Sequence, residues 1–209
     1  EYTPEMVAET KRLFELLGVT WVEAPMEAEG AAAVRCARGE VGAVASQDWD
    51  TLLYGAPVMV RNLTSHGTRR FGRVLQAERV VLADTLAKHD ITHEQLVDLG
   101  IMIGTDFHPG IRGIGPKTGL KLIREHGTLE AVAEAKEFEL PERLDEIRSL
   151  FLEHPTTPNA LPLSTHAVEE DLWVFLQDER GFSERRVQRA LDRLTSVARL
   201  RSSSQPTLF

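Results

Sequence analysis

Three acidic groupings offer chemistry in this sequence: Glu27 with Glu29, Asp48 with Asp50, and Asp106. Each follows an apolar element: a run at 19–22, a second at 41–45, and a helical stretch ending near Ile103. In an open α/β sheet the ends of strands line the crevice where ligands bind. Five carboxylates converging there need a counter-charge, because two like charges about 4 Å apart repel by roughly 4 kcal/mol at an effective dielectric of 20. Hard divalent cations such as Mg²⁺ relieve that repulsion and take oxygen ligands. Two such ions suit phosphodiester hydrolysis, one activating water and one stabilising the leaving oxygen.

Plainer readings stand beside this one. A Glu-x-Glu at a helix start is commonly a solvated face favoured by the helix dipole, and an Asp-x-Asp after a strand is commonly a turn. Residues two apart on a regular helix point about 200° apart. Glu27 and Glu29 therefore share a metal site only if the helix opens irregularly or water bridges the ions. Trp49, between the two aspartates, is expected to point to the opposite face and into the core, and Glu23 and Glu40 are read as structural. His66, His89, His93, His108, His126, His154 and His166 show no metal-like spacing, and no serine pairs with a His/Asp set.

A second chemistry-bearing stretch is Gly110-Ile111-Arg112-Gly113-Ile114-Gly115-Pro116-Lys117-Thr118, leading into a helix with Lys121 and Arg124. Pro116 suits the first helical position and Gly115 the cap, which leaves the N–H groups of Lys117 and Thr118 free at a positive dipole end. Glycines let backbone approach a phosphate closely, and helix N-termini bind anions. The loop reads no base edges, so it predicts backbone binding without sequence specificity. Pro116 interrupts any Walker-type Gly-Lys-Thr arrangement, and the alternative is an ordinary helix–turn–helix junction. Arg61, Arg69, Arg70 and Arg73 form another basic group, read as a solvated face.

The elements that must position these groups follow from periodicity. Residues 4–17 have helical spacing with Gly18 as the C-cap, and a helix over 26–37 closes at Gly39. Strands are expected at 19–22, 41–45 and 58–63, with a turn at 65–67 beginning a hairpin. From Ala77 onward the pattern reads as helical. Thr92 with Gln95 forms a capping box and Ile91 with Leu96 a staple, after which Leu96, Leu99, Gly100 and Ile103 mark one packed face and Gly104 stops the helix. Further helices are expected near 117–126, 128–137, 142–152, 167–180 and 183–200, with a loop at 154–164. The strand–helix–strand order predicts an α/β fold with a mostly parallel sheet flanked by helices, followed by a helical carboxy-terminal portion. The division expected is an α/β metal-binding core over 1–90, a DNA-docking and helical region over 91–200, and a mobile tail over 201–209.

Composition bounds these readings. With 209 residues, 42% of them hydrophobic, the chain can bury a substantial core as one domain or two. No apolar run is long enough to cross a bilayer and no basic-then-apolar leader opens the chain, so no membrane is expected. The lone Cys36 excludes an internal disulfide framework and fits a reducing interior. In its Ala-rich helix it reads as a buried structural thiol. The net charge of −8 argues against nucleic acid only on average, since a metal-binding nuclease concentrates carboxylates while keeping basic surface elsewhere.

The stretches EAPMEAEG (23–30), SQDWDTLLYGAP (46–57), VRNLT (60–64), GTDF (104–107) and GIRGIGPKTGL (110–120), with FSERRV (182–187), occur in one order. That order resembles the flap endonuclease branch of the XPG-type 5′ nucleases, most of all its archaeal members. The resemblance runs nearly end to end. It implies Mg²⁺ ligation, with Mn²⁺ able to substitute, by Glu27, Glu29, Asp48, Asp50 and Asp106, the same residues being catalytic. It implies DNA contact at Glu27, Gly104, Asp106, Arg112, Gly113, Gly115, Lys117, Thr118 and Lys121. The glycine loop would be a helix-two-turn-helix element with K⁺ bridging backbone carbonyls to phosphate, and the fold a PIN-like 5′ nuclease core. Met26 departs from the small or polar residue common in relatives. The tail, with Gln205, Leu208 and Phe209, resembles a sliding-clamp-binding motif that stops short of the usual aromatic pair.

The family's amino-terminal region supplies further aspartates, basic residues and a helical arch that do not precede Glu1. The chain alone is therefore expected to bind branched DNA weakly and to cut it poorly or not at all. The implied function is structure-specific 5′ flap cleavage and 5′–3′ exonuclease action in replication and repair, inside the cell with the genome. Two other readings remain: a DNA-binding or scaffolding module without catalysis, and an RNase of the related metal-nuclease fold, which the glycine loop disfavours.

Overall fold

A computed structural model describes residues 3–65, 67–70, 72–155 and 167–203. The expected clamp-binding residues Gln205, Leu208 and Phe209 lie outside them, as do His66 and His166. Two compact units are present. One comprises Glu23–Pro158, and the other joins the first 22 residues to the segment from 159 onward. The boundary expected near residue 90 thus falls inside a unit, because helices on both sides of it share one core.

In the larger unit, α2 (Ala28–Ala37) leads to β1 (Val44–Ala45), α3 (Asp50–Leu53) and β2 (Val58–Arg61). A small hairpin of β3 (Arg69–Arg70) and β4 (Arg73–Val74) follows, then β5 (Glu78–Val81) and α4 (Leu82–His89). β1 pairs parallel with β2 at Val44↔Met59, and β5 pairs antiparallel with β2 at Met59↔Val80. The α/β expectation holds, with a mixed sheet in place of a mostly parallel one. β5 falls where a helical pattern was expected, and its two valines are what the sheet recruits. The run at 19–22 is no strand, so Glu27 and Glu29 follow an irregular segment.

The remaining helices are α5 (His93–Ile103), α6 (Pro116–His126), α7 (Leu129–Lys136) and α8 (Leu144–Leu152). α5 starts at the expected capping box, with Gln95 N donating to Thr92 Oγ1 at 3.2 Å and Thr92 N to Gln95 Oε1 at 2.9 Å. Its buried face is Val97, Leu99, Ile101 and Met102, rotated from the expected one, and Ile103 is exposed. Contacts from α3, α6, α7 and α8 converge on this helix and decide its inward face. Each such aliphatic side chain, fully buried, contributes about 1.5–3 kcal/mol.

A polar network ties this bundle together. Asp98 is buried on α5, and accepts from Arg148 Nε at 2.7 Å, Arg148 Nη2 at 2.9 Å and the Leu129 backbone N–H at 3.0 Å. Arg148 also forks to Glu130 at 2.5 and 2.8 Å. One guanidinium on α8 thus grips α5 and the first turn of α7.

The smaller unit holds α1 (Pro4–Leu16), α9 (Glu169–Trp173) continued by a π-helical segment (Val174–Glu179), and α10 (Glu184–Ser203). Leu172, Val187 and Leu191 form its core, with Leu13, Leu16 and Leu17 against it. Arg12 pairs with Glu179 and Arg180 with Glu9, both at 2.6 Å, and both guanidinia flank the Phe175 ring. α10 continues to Ser203, into the segment expected as a tail.

Candidate metal centre and nucleic-acid interface

Glu27 is the N-cap of α2, with extended backbone at φ −66°, ψ 133°, while Glu29 lies in its first helical turn. The helix therefore opens between them, and the 200° divergence of a regular helix does not apply. Gly30 comes next, and a Cβ there would stand 2.6 Å from the His154 ring. That close approach seats the start of α2 against the end of α8. Glycine alone permits it.

Asp48 and Asp50 bracket the entry to α3. Asp48 N donates to Ser46 Oγ and Asp50 N donates to Asp48 Oδ1, each at 3.0 Å. His93 Nε2, at the start of α5, donates to the carbonyl of Leu53 at 2.8 Å and fixes the other end of this short helix. Asp106 sits in a tight turn after α5, closed by Thr105 N to His108 O at 2.8 Å. Gly104 and Gly110 frame that turn with φ of 123° and 86°. A Cβ at Gly110 would lie 2.4 Å from the Ile103 carbonyl, so the chain can fold back on α5 only there.

These elements bring the acidic groups into one field. The Asp50 carboxyl is pushed up to about 6, first by burial and then by the charges of Asp48, Asp106 and Glu29. The Tyr54 phenol, one turn further along, is pushed up by burial and by Glu27, Asp50, Glu29 and Asp106. Among the described residues, however, no three His, Cys, Asp or Glu side chains are arranged to hold one ion. Shared field and shared ligation differ in range: charges couple over many ångströms, whereas ligation needs oxygens about 2 Å from the ion. The all-carboxylate donor set fits a hard divalent cation, and after burial it is the neighbouring carboxylate charges, which such an ion would offset, that raise Asp50.

A carboxyl raised in the folded state stabilises the protein while it is protonated, and that contribution is lost as pH rises through about 6. In chelator, the protein should lose about 1–2 kcal/mol relative to Asp50→Asn between pH 4 and 7, less than the full shift implies because the site is half open to solvent. Parallel denaturant titrations of the two proteins check it, and parallel pH curves would refute the shared field.

The glycine loop packs directly after this turn. Ile111 N donates to Met102 O at 2.8 Å, and Ile111 and Ile114 anchor in the main core. Gly113 turns the chain at φ 86°, and Gly115 caps α6 without any side-chain hydrogen bond. Arg112, Lys117, Thr118 and Lys121 are exposed, and the first turn of α6 carries no acidic residue. Gly119 is buried beside Leu99, which lays α6 along α5.

Sequence reasoning missed three supporting groups: Tyr54, His93 and His154. Tyr54 lies four residues beyond Asp50, a spacing that puts both on one side of a helix and could have flagged it. His93 and His154 act through contacts distant in sequence. Trp49 is a correction: it is 50% exposed, with the Arg61 guanidinium 4.1 Å from its ring centroid. Strand alternation would have sent it inward, but Asp48 to Asp50 form a turn into a helix. Arg61, read as part of a solvated face, is mostly covered by this stack.

The XPG I-region family model matches residues 18–106. The flap endonuclease 1 of Methanothrix thermoacetophila is 43% identical over 98% of this chain, which spans 61% of that protein. That of Ignicoccus hospitalis is 39% identical over 99%, again with 61% of its length spanned. The structure matches flap endonuclease-1 from Methanococcus jannaschii with a TM-score of 0.81 at 38% identity, covering 92% of this chain and 58% of that one. The catalytic core of Rad2 in complex with DNA substrate shares the fold at a TM-score of 0.79 and 18% identity, covering 93% of this chain and 69% of that one. The chain spans about three fifths of the length of these curated relatives. Residues 18–106 are thus similar to the XPG I-region, and nearly the whole chain is similar to the archaeal flap endonucleases.

Proposed function

We propose that this chain is the metal-binding and duplex-docking part of a structure-specific 5′ nuclease that cuts flapped DNA. The observation that carries this reading is one short connection. The seven residues from Gly104 to Gly110 hand Asp106 to the carboxylate field and then deliver the cationic loop to the same end of α5. The relatives' names supply the reaction class, and the same fold in the Rad2 core occurs in complex with a DNA substrate.

Glu27, Glu29, Asp48, Asp50 and Asp106 would hold Mg²⁺, or Mn²⁺ in its place. Bound ions would supply an activated water and neutralise charge on the scissile phosphate. The chain's own residues prepare that site. Asp48 orients the Asp50 backbone, His93 pins α3, and the Thr105–His108 turn fixes Asp106. Tyr54 keeps its proton and packs against the rings of Phe151 and His154. Gly113, Gly115, Lys117 and Thr118 would offer backbone and cationic contacts to phosphates of the duplex behind the junction, with Arg112 and Lys121 beside them, and the loop would be the place to hold a K⁺ that offsets phosphate charge. Gly104 and Glu27 would lie nearest the reacting strand. The partial clamp motif at Gln205, Leu208 and Phe209 would recruit the enzyme to replicating DNA within the cell.

The test is incision of a 5′-flap substrate at its junction in Mg²⁺ by the full protein that carries this chain, beside linear duplex and single strand. Cutting the linear duplex equally well would overturn the structural selectivity. For docking, Lys117→Ala with Lys121→Ala should weaken duplex binding similarly for unrelated sequences. Removing one lysine–phosphate pairing should reduce the slope of log affinity against log salt by about 0.9. A change of base preference at unchanged affinity would show that the loop reads bases.

A further inference from the structure

We infer that Trp49, backed by Arg61, is a stacking platform for one unpaired nucleobase beside the carboxylate site. This rests on the nuclease reading above and adds a subsite to it. Ser46 N donates to Val60 O at 3.2 Å and so lays the 46–49 turn along the end of β2. Arg61, the last residue of β2, is then held from several sides. Its guanidinium lies 4.1 Å from the Trp49 ring centroid, Nη2 reaches the Gln47 carbonyl at 3.5 Å, and Nη1 is 3.9 Å from Glu78, its register partner on β5. Arg61 thereby steadies the indole from behind, while half of the Trp49 surface stays open to solvent.

An exposed tryptophan is an unusual thing to place between two carboxylates. Trp49 lies one residue from Asp48 and one from Asp50 at the entry to α3, so an occupant must tolerate nearby negative charge by carrying counter-ions or phosphates bridged by metal. A nucleotide strand does both, and its bases add a flat π face. Bases within a duplex are already stacked on their neighbours, so only an unpaired base can use the indole. Stacking is also tolerant of base identity, in keeping with a site that selects structure.

The experiment uses the full chain with Trp21→Phe and Trp173→Phe, so that Trp49 is its only tryptophan. A short oligothymidylate is added in Ca²⁺, a hard ion that occupies oxygen sites. We expect strong quenching of Trp49 emission, and none from an abasic strand of equal length and charge. Trp49→Ala should bind the oligothymidylate about 5- to 150-fold more weakly, the range of one base–aromatic stack, and Trp49→Phe should recover most of that loss. Blunt duplex, followed by anisotropy, should bind wild type and Trp49→Ala alike. Duplex binding without quenching by the oligothymidylate, or equal quenching by the abasic strand, overturns the platform alone. Failure to bind duplex as well overturns the nuclease reading beneath it.

Discussion

Asp98→Ala should destabilise the Glu23–Pro158 unit by about 3–5 kcal/mol, the cost of breaking a buried ion pair from one side. The substitution strands the Arg148 guanidinium, which is 80% covered, and leaves the Leu129 N–H without its acceptor at the start of α7. An orphaned buried donor alone costs about 1–3 kcal/mol. Glu130 would keep its own bonds to Arg148, and its carboxyl is held down to about 2 chiefly by that guanidinium. Its side chain is nearly half exposed, however, so solvent screens that pair and Asp98 dominates. Urea denaturation should show the loss as a lower midpoint at unchanged slope. Asp98→Leu combined with Arg148→Met should cost markedly less, since neither charge is then left buried. A loss below about 1 kcal/mol for Asp98→Ala would show that the network behaves as a surface ion pair.

Replacing Asp48 and Asp50 together with asparagine should act in opposite directions with and without metal. Without it, the double variant should be more stable at neutral pH, because a neutral amide escapes both the burial and the repulsion that lift Asp50 to about 6. With Mg²⁺ or Mn²⁺, the wild type should gain stability as the ions bind the folded state, by about 2.7 kcal/mol at a hundredfold excess over Kd. The variant should gain almost none. Its metal affinity should fall by more than the roughly 10–100-fold that loss of an outer-shell partner causes. Thermal melts across a metal titration read both effects. An unchanged metal response in the double variant would sink the five-carboxylate site, whatever the chain's resemblance to flap endonucleases.

Local physics made much of this molecule legible before any coordinates. The capping box at Thr92–Gln95, Pro116 at a helix start and the stops at Gly18, Gly39 and Gly104 depend on a few neighbouring residues, and each stands where its residue types require. The five carboxylates and the cationic glycine loop were likewise visible as residue types at fixed spacing, and Cys36 is buried as its Ala-rich helix implied.

Other features depend on what a residue meets far along the chain. Glu78–Val81 is a strand because β2 offers it an edge, which a local pattern ending in a helix cannot reveal. The inward face of α5 was set by the helices packed on it, and Asp98 became a structural hub only when Arg148 arrived from fifty residues away. Trp49 was misplaced because its surroundings are a turn, where period-two alternation has no force. Which groups this protein can use, and where most of its helices begin and end, follow from residue types and their near neighbours, because short-range sterics and hydrogen bonding set them. Which carboxylates feel one another, and that Trp49 stands open against Arg61, emerge on folding, since electrostatic coupling and burial depend on distances in space.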